Sequence, residues 1–359
     1  MHPDTKRRIA LALALVAIGG VILAIEKPWA GNPSAAPPPP ANLSAQELAF
    51  PAAPDFGGAT SWLGSAPLKV ADLRGHVVLV DFWTYSCINC IHTFPHVEGF
   101  YERYKGDGLV VVGVHTPEFG FERNVDNIAG ARERYHLTYP TAVDSDYAIW
   151  DAYGNRYWPA EYLIDQYGRV RDTHFGEGDY DQTEAAIRQL LAEAGHAPKA
   201  PAGEAVNATG NEGAITPELY ASAAEGRVAI GNPEGYHEGQ DVAYAPVSRL
   251  DPDLIYLEGT WRETHENVTA LAPENASVLF RAGAANAVLD GPAGACAAVF
   301  LDGQPIPASL AGRDVDPNAC LRLDGPRSYD LYAGPVEAHT LAVRLPAGGA
   351  LFTFDFSPG

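Results

Sequence analysis

The sequence feature that most constrains the fold is VVLVDFWTYSCINC, at residues 77–90. Its first half is apolar except at Asp81, a pattern typical of a strand that is buried on both faces of a sheet. Cys87 and Cys90 follow, and residues 90–105 have the pattern of a helix. This order of strand, cysteine pair and helix predicts a sheet with a helix on its face and a cysteine pair where the helix begins.

Strand and helix patterns alternate from residue 50 to residue 196. Continuous apolar runs predict strands and amphipathic runs predict helices, the first of which Pro95 interrupts. The predicted strands are 77–83, 108–115 and a pair joined by a turn within 160–176, and the further helices are 124–136 and 182–195. The alternation predicts an α/β domain over 50–196, with parallel strands in a central sheet that helices cover on both faces.

The sequence changes character in its C-terminal part, residues 215–359. Short strand-like segments separated by Gly, Pro and Asp predict an all-β sandwich with jelly-roll-like topology. Residues 197–214 are predicted to link the two domains, and the Pro- and Ala-rich residues 28–49 form a linker that precedes them. Two folded domains fit a chain of 359 residues with 47% hydrophobic content.

The N-terminus has the pattern of a membrane anchor or an export signal. Three basic residues, 6–8, precede an uncharged apolar run at residues 9–25. Pro28 occupies a position where cleavage after Ala30 would need a small residue, which favours an uncleaved single-pass helix within residues 1–27 over a cleaved signal. Because the basic flank stays in the cytoplasm, the body of the chain is expected on the extracytoplasmic side.

The charge of the chain bears on its partners. The formal net charge is −21 at pH 7, and the short basic run near the N-terminus has no counterpart elsewhere. A surface of this sign repels nucleic acid phosphates, so nucleic acid is not an expected partner, and solubility is the simpler explanation of the charge.

The two closely spaced cysteines allow several kinds of site. Covalent haem attachment is excluded because Ile91, not His, follows the second cysteine. A zinc site could use Cys87 and Cys90 with His92 and His96, but it would place four ligands on about two helical turns. A structural disulfide would close a very small loop and contribute little stability. A redox pair fits the strand and helix around it best, without a metal or another cofactor.

In the redox interpretation the two thiols have different roles. Cys87 lies at the predicted helix N-terminus, where backbone N–H groups favour a thiolate, so a lowered pKa and the role of nucleophile are expected. Cys90 lies one turn inside the helix and is expected to be the resolving thiol, which breaks the mixed disulfide.

Residues 77–90 resemble the active-site strand and turn of the thioredoxin family. The resemblance implies a buried acid at Asp81 that helps transfer a proton to and from the resolving thiol. It also implies an aromatic residue packed against the active-site loop at Trp83, and a proline that kinks the active-site helix at Pro95.

The segment NRYWPAEYLID resembles the one that carries the cis-proline of the same family. The resemblance implies a cis peptide bond at Trp158–Pro159, beside which a substrate docks as an added strand. Glu161 follows closely, and the sequence leaves open whether it points towards the cysteine pair or into solvent.

Longer stretches are similar to the TlpA and redoxin-like branch, and specifically to the C-terminal extracytoplasmic region of DipZ-type proteins. The stretches are WTYSCINC, GVHTPEF, WDAYGNRYWPAEYLID and HFGEG. This resemblance covers most of residues 50–359 and implies that the β-sandwich is similar to a carbohydrate-binding module. DipZ-type proteins begin with a multi-span electron-conducting domain. With one predicted span, this chain is expected to receive electrons from a separate membrane donor.

The resemblance implies a thiol:disulfide oxidoreductase that acts on disulfide-containing or dithiol proteins. The Ile88–Asn89 pair between the cysteines has no cationic residue, which favours a reductant over an oxidant. Two alternatives stay open. A thiol peroxidase would match Thr84 but lacks the proline expected at Val80, and a binding protein would use the β-sandwich for a glycan or a partner with the thioredoxin fold as a redox-idle scaffold.

The remaining two cysteines, Cys296 and Cys320, lie in the predicted sandwich. Outside the cytoplasm they are expected to form a structural disulfide. Trp261, in the same region, is expected in the hydrophobic core rather than on a ligand-binding surface.

Overall fold

The computed structural model describes residues 49–203, 215–223 and 226–359. The predicted anchor at 1–27 lies outside the described residues, as do almost all of the first linker and most of the second. None of the helices in the described ranges is both long and apolar enough to cross a membrane.

The described chain divides into two compact units. The first contains 49–83, 93–116 and 132–203, and the second contains 84–92, 117–131 and the described residues from 215 onward. The cysteine pair at 87 and 90 is thus grouped with the β-rich C-terminal part, and the domain boundaries expected from the sequence stay a prediction.

The first unit is built on a mixed sheet with the strand order β1-β4-β3-β2-β5-β6. The central strands β2, β3 and β4 are parallel, whereas β1 pairs antiparallel with β4, β5 with β2, and β6 with β5. Every residue of β2 is buried, as its apolar run predicts. The strands are β1 (Ser61–Leu63), β2 (Val77–Trp83), β3 (Leu109–His115), β4 (Thr141–Val143), β5 (Ala160–Ile164) and β6 (Val170–Phe175).

The α-helices of this part of the chain are α1 (Ile88–Tyr104), α2 (Val125–Arg134), α3 (Ala148–Tyr153) and α4 (Tyr180–Glu193). Helix α1 continues through Pro95, so the predicted interruption of the helix is wrong. Pro95 has no N–H to donate to the Ile91 carbonyl, so one helical hydrogen bond is missing. Burial of Phe94 and Val97, on either side of the proline, stabilises the helix there.

The C-terminal part is β-rich, as expected, and its strands form one connected sheet. The main path has the order β13-β12-β15-β11-β16-β10-β9-β8, and an additional pairing of β11 with β9 closes a ring through β16 and β10. The strands are β7 (Leu219–Tyr220), β8 (Asp241–Tyr244), β9 (Ile255–Glu263), β10 (Val268–Ala270), β11 (Glu274–Asp290), β12 (Cys296–Leu301), β13 (Gln304–Pro305), β14 (Cys320–Arg322), β15 (Arg327–Leu345) and β16 (Ala350–Ser357).

Two of these strands are much longer than the short segments that the sequence predicted. β11 has 17 residues and β15 has 19. The register of their pairing shifts between Ala282 and Ala284 and between Ala285 and Asn286. Such bulges bend a strand without ending it, so residues that resemble strand breaks continue the ladder.

The core of the β-rich part includes Trp261, which has no exposed surface, as the sequence favoured. A disulfide joins Cys296 of β12 to Cys320 of β14, with an S–S distance of 2.08 Å. It connects two short antiparallel strands that pair with each other.

Candidate active site

The cysteine pair lies where α1 begins. The Ile91 N–H donates to the Cys87 carbonyl at 3.0 Å, so Cys87 is the residue that caps the first helical turn. Cys87 is a partly exposed residue, whereas Cys90 is fully buried, and neither residue is in a disulfide. Only the first thiol can therefore meet a large substrate, and the second is placed one turn behind it.

The pKa of the Cys87 thiol is raised, not lowered as the sequence predicted. The largest cause is a hydrogen bond to Cys90, which favours the protonated thiol, and burial follows. The acidic side chains of Glu118 and Glu218 disfavour the thiolate further through charge repulsion. The prediction was wrong because it considered only the helix terminus, and neither the hydrogen bond between the two thiols nor burial.

The predicted acid, Asp81, is fully buried in β2. Tyr139 donates a hydrogen bond to its Oδ2 at 3.1 Å, whereas Oδ1 has no hydrogen-bond partner among the described residues. Burial raises the pKa of Asp81 to about 7, although the Tyr139 hydrogen bond lowers it. A carboxyl with this pKa can accept and return a proton near neutral pH.

Glu161 is a second buried carboxyl, directly opposite Asp81 in the antiparallel pairing of β2 and β5. It is 4% exposed, and Thr183 donates to its Oε2 at 3.2 Å. Burial raises the pKa of Glu161 to about 8, and the charge of Asp81 adds to that rise. The sequence left its orientation open, because the facing position depends on a strand pairing about 80 residues apart.

The Trp158–Pro159 peptide bond is cis. The Trp158 indole N–H donates to the Thr116 carbonyl at 3.1 Å, and its ring packs on Trp150 with centroids 4.2 Å apart. Next to this bond in sequence, Tyr157 is 57% exposed.

The other predicted residues lie around the same strand and helix. The Trp83 ring is buried and packs edge-on against Phe94 and His115, with centroids 5.3 and 4.8 Å apart. Pro95 is exposed on α1. His96 stacks on Tyr180 with centroids 3.6 Å apart.

Within the described ranges, no group of three or more His, Cys, Asp or Glu side chains is arranged to hold a metal ion. A pair of thiols lies at the start of a helix, and a buried acid lies in the strand that precedes them in sequence. Thiol–disulfide exchange needs these groups: a nucleophilic thiol, a resolving thiol and a proton acceptor.

Two family models match the chain. The AhpC/TSA family model matches residues 51–173, and a family described as thioredoxin like C-terminal domain matches residues 216–357. The two matches follow one another along the chain and together include the cysteine pair and the β-rich part.

Several curated proteins are similar to the chain. Protein DipZ of Mycobacterium bovis is 38% identical over 310 residues, which are 85% of this chain and 42% of DipZ. The chain therefore spans less than half the length of that relative. Thiol-disulfide oxidoreductase ResA of Halalkalibacterium halodurans is 30% identical over 126 residues, 34% of this chain and 65% of ResA.

A shorter relative is matched over nearly its whole length. Thiol-disulfide oxidoreductase YkuV of Bacillus subtilis is 31% identical over 140 residues, which are 39% of this chain and 94% of YkuV. The matched length is that of one thioredoxin-like domain, and the described sheet, thiol pair and cis-proline all lie within residues 50–196. The chain therefore belongs to the thioredoxin-like family.

Proposed function

We propose that this protein is a thiol:disulfide oxidoreductase that reduces protein disulfides with the dithiol of Cys87 and Cys90. The observation that carries the proposal is the unequal exposure of two thiols at the start of α1. The relatives YkuV and ResA, which bear the name of this activity, support it.

The proposed reaction begins when Cys87 loses its proton and the resulting thiolate attacks one sulfur of a substrate disulfide. The substrate S–S bond breaks, a mixed disulfide forms, and the released substrate thiolate takes up a proton. Asp81 accepts the proton of Cys90, whose thiolate then attacks the Cys87 sulfur and releases the second substrate thiolate. Two electrons pass to the substrate, and a Cys87–Cys90 disulfide is left in the protein.

The raised pKa of Cys87 supports the reducing direction. Strongly oxidising relatives of thioredoxin owe their potential to a reduced form that is stabilised as the thiolate. Glu118 and Glu218 act against such stabilisation here. The disulfide form of the pair is then favoured over the dithiol form, so the dithiol readily donates two electrons to a substrate.

The substrate is proposed to be a disulfide-containing protein that docks in extended form beside Pro159. Two exposed aromatic side chains support this location: Tyr157 precedes the cis bond, and Phe175, at the end of β6, is 47% exposed. Their ring centroids are 5.3 Å apart. Phe175 is also paired with Ala160, the residue after Pro159. An apolar side chain of a substrate that docks beside Pro159 would therefore contact both rings.

The apolar residues 9–25 support a single-pass anchor with the body on the extracytoplasmic side, and a separate membrane protein as electron donor. The family matches at 51–173 and 216–357 support a thioredoxin-like domain at 50–196 and a sandwich at 215–359 that resembles a carbohydrate-binding module. Glycan binding itself has no support from Trp261, which is buried.

The reduction potential of the full chain tests the proposal. It is measured in glutathione or dithiothreitol buffers, with Cys87→Ser as the control that lacks the couple. A potential near that of thioredoxin, about −270 mV, is expected for a reductant. A potential near about −120 mV would reverse the direction of electron flow, and the absence of any two-electron couple would overturn the oxidoreductase assignment.

A further inference from the structure

Glu122 is a buried carboxylate that the proposed reaction does not use. Its side chain has no exposed surface, and it lies in a short 3-10 turn at Gly120–Arg123. A carboxylate in such a place needs several hydrogen-bond donors to offset the loss of water. Burial raises the pKa of Glu122, and the hydrogen bonds that it accepts act in the opposite direction.

The donors come from two separate stretches of chain. Ser86 donates twice to Oε1, from its hydroxyl at 2.6 Å and from its backbone N–H at 3.2 Å. The backbone N–H groups of Glu118 and Phe119 donate to Oε2 at 2.6 and 2.9 Å. Glu122 therefore ties the residue before Cys87 to residues 118–119, and both of its oxygens are used.

The loop at residues 118–121 is held in turn by the β-rich part of the same unit. Tyr220 of β7 donates its hydroxyl to Glu118 Oε1 at 2.6 Å. The Gly120 N–H donates to both carboxylate oxygens of Glu266 at 3.0 and 3.1 Å.

Aromatic packing reinforces these hydrogen bonds. The rings of Phe119 and Phe121 lie against Phe352 of β16, with centroids 5.1 and 4.9 Å apart. The cluster also contains Tyr220, so one side chain contributes both to the apolar contact and to the hydrogen bond with Glu118. The loop is fixed on one side by strands β7 and β16 and on the other side by Ser86 through Glu122.

Acidic groups in the loop and in or beside these strands interact electrostatically with the nucleophile. Asp355 of β16 is buried, and its pKa is raised by burial and then by Glu218, with smaller effects from Glu118 and Cys87. Glu118 and Glu218 also raise the pKa of Cys87. The β-rich strands thus contribute to the electrostatic environment of the thiol as well as to the position of the loop.

We propose that Glu122 is a positioning residue for Cys87, and that the β-rich part acts through it as a component of the redox site. Glu122 sets the backbone at Ser86, and the contacts of Tyr220, Glu266 and Phe352 set the loop that carries Glu122. The inference rests on the proposed oxidoreductase function. It gives the C-terminal part a role in thiol reactivity in place of a separate binding function.

The test compares Glu122→Gln with Asp165→Asn in the full chain. An amide has one acceptor oxygen, so either Ser86 or the loop N–H groups lose their partner in Glu122→Gln. Asp165 is a matched control because it is also buried and accepts hydrogen bonds from the backbone of Tyr167 and Arg169, at the end of β5 away from Pro159.

The readout is the rate at which iodoacetamide alkylates Cys87 as a function of pH, with the modified residue identified by mass spectrometry. Glu122→Gln is expected to move the midpoint of the profile to lower pH and to raise the rate at pH 7 at least threefold, because a loosened backbone admits water to the thiolate. Reductase kcat should fall at least tenfold with KM unchanged, because Cys90 needs a fixed target. Asp165→Asn should change neither quantity.

A second pair of variants tests the contribution of the β-rich part and also decides the matter if Glu122→Gln does not fold. Tyr220→Phe removes only the hydroxyl that donates to Glu118, and Tyr244→Phe removes a hydroxyl that donates to Glu263 in the same part of the chain. Tyr220→Phe is expected to shift the alkylation profile in the same direction by a smaller amount, and Tyr244→Phe is not.

A wild-type alkylation profile in Tyr220→Phe and in any folded Glu122→Gln would overturn the inference and leave Glu122 with a role in folding only. Alkylation requires a thiol but no turnover. If the wild-type chain shows no two-electron couple, the proposed function fails, and the alkylation profiles still decide whether Glu122 positions Cys87.

Discussion

At the scale of single residues, the buried carboxyl pair of Asp81 and Glu161 is the feature with the largest consequences. The two side chains are on adjacent strands at paired positions, and burial raises both pKa values, to about 7 and about 8. The charge of Asp81 also disfavours ionisation of Glu161. A proton held in this pair is available at neutral pH, which fits an acid that serves the resolving thiol.

The pair makes stability depend on pH. Both folded-state pKa values lie above those of the unfolded chain, so folding is favoured while both groups are protonated. The free energy of unfolding should fall as the pH rises from about 4 to about 8, by up to about 1.4 kcal/mol per pH unit for each carboxyl. Glu161→Gln removes one ionisation and keeps an acceptor for Thr183.

We expect Glu161→Gln to be more stable than the wild type by about 4 kcal/mol at pH 8 and nearly equal to it at pH 4. Urea unfolding at the two pH values measures the difference. An equal loss of stability at both pH values would mean that Glu161 is not a strained, ionising group in the folded protein.

At the scale of elements, two glycines show how differently a helix and a central strand tolerate a side chain. A Cβ added to Gly99 in α1 would meet nothing within 4 Å, and its backbone is helical. A Cβ on Gly113 in β3 would lie 2.7 Å from the Trp83 indole nitrogen and 2.8 Å from the Tyr139 ring. Glycine at 113 is therefore required by the close approach of two buried aromatic residues near Asp81.

Gly99→Ala should stabilise the protein by about 0.5–1 kcal/mol, because alanine loses less conformational freedom in a helix. Gly113→Ala should destabilise it by about 1–3 kcal/mol, because the added methyl group overpacks the core. Thermal unfolding of the two variants measures both effects. Equal stability of the two variants would show that the packing around Trp83 and Tyr139 adapts to an extra methyl group.

At the scale of the whole molecule, the four cysteines divide into two pairs with different chemistry. Cys296 and Cys320 are disulfide-bonded across paired strands, and they are 24 residues apart. Cys87 and Cys90 are thiols at a helix start. The first pair joins two strands that also pair with each other, and the second contains one partly exposed residue, Cys87.

Replacing Cys296 and Cys320 together by Ala should cost about 3 kcal/mol of stability, because the unfolded chain regains the entropy of a closed loop. The reduction potential of Cys87 and Cys90 should stay unchanged under conditions where the variant is folded. Denaturant unfolding and redox equilibration of the same sample measure the two quantities. A shifted potential would mean that the crosslink contributes to the redox site.

Much of the architecture could be predicted because it depends on neighbours in sequence. The apolar run at 77–83 is β2, with the predicted limits. Local patterns failed where tertiary packing overrides them. Helix α1 continues through Pro95. Strands β11 and β15 continue through small residues because they pair with each other along most of their length.

The sequence by itself determined the chemistry that is present: a cysteine pair between a buried strand and a helix, and an acid six residues before the first thiol. Only the tertiary structure decided how these groups are tuned. Glu161 comes opposite Asp81 through strand pairing, and Glu118 and Glu218 come close enough to Cys87 to raise its pKa. Electrostatic interactions depend on distance in space and on burial, and neither can be obtained from spacing along the chain.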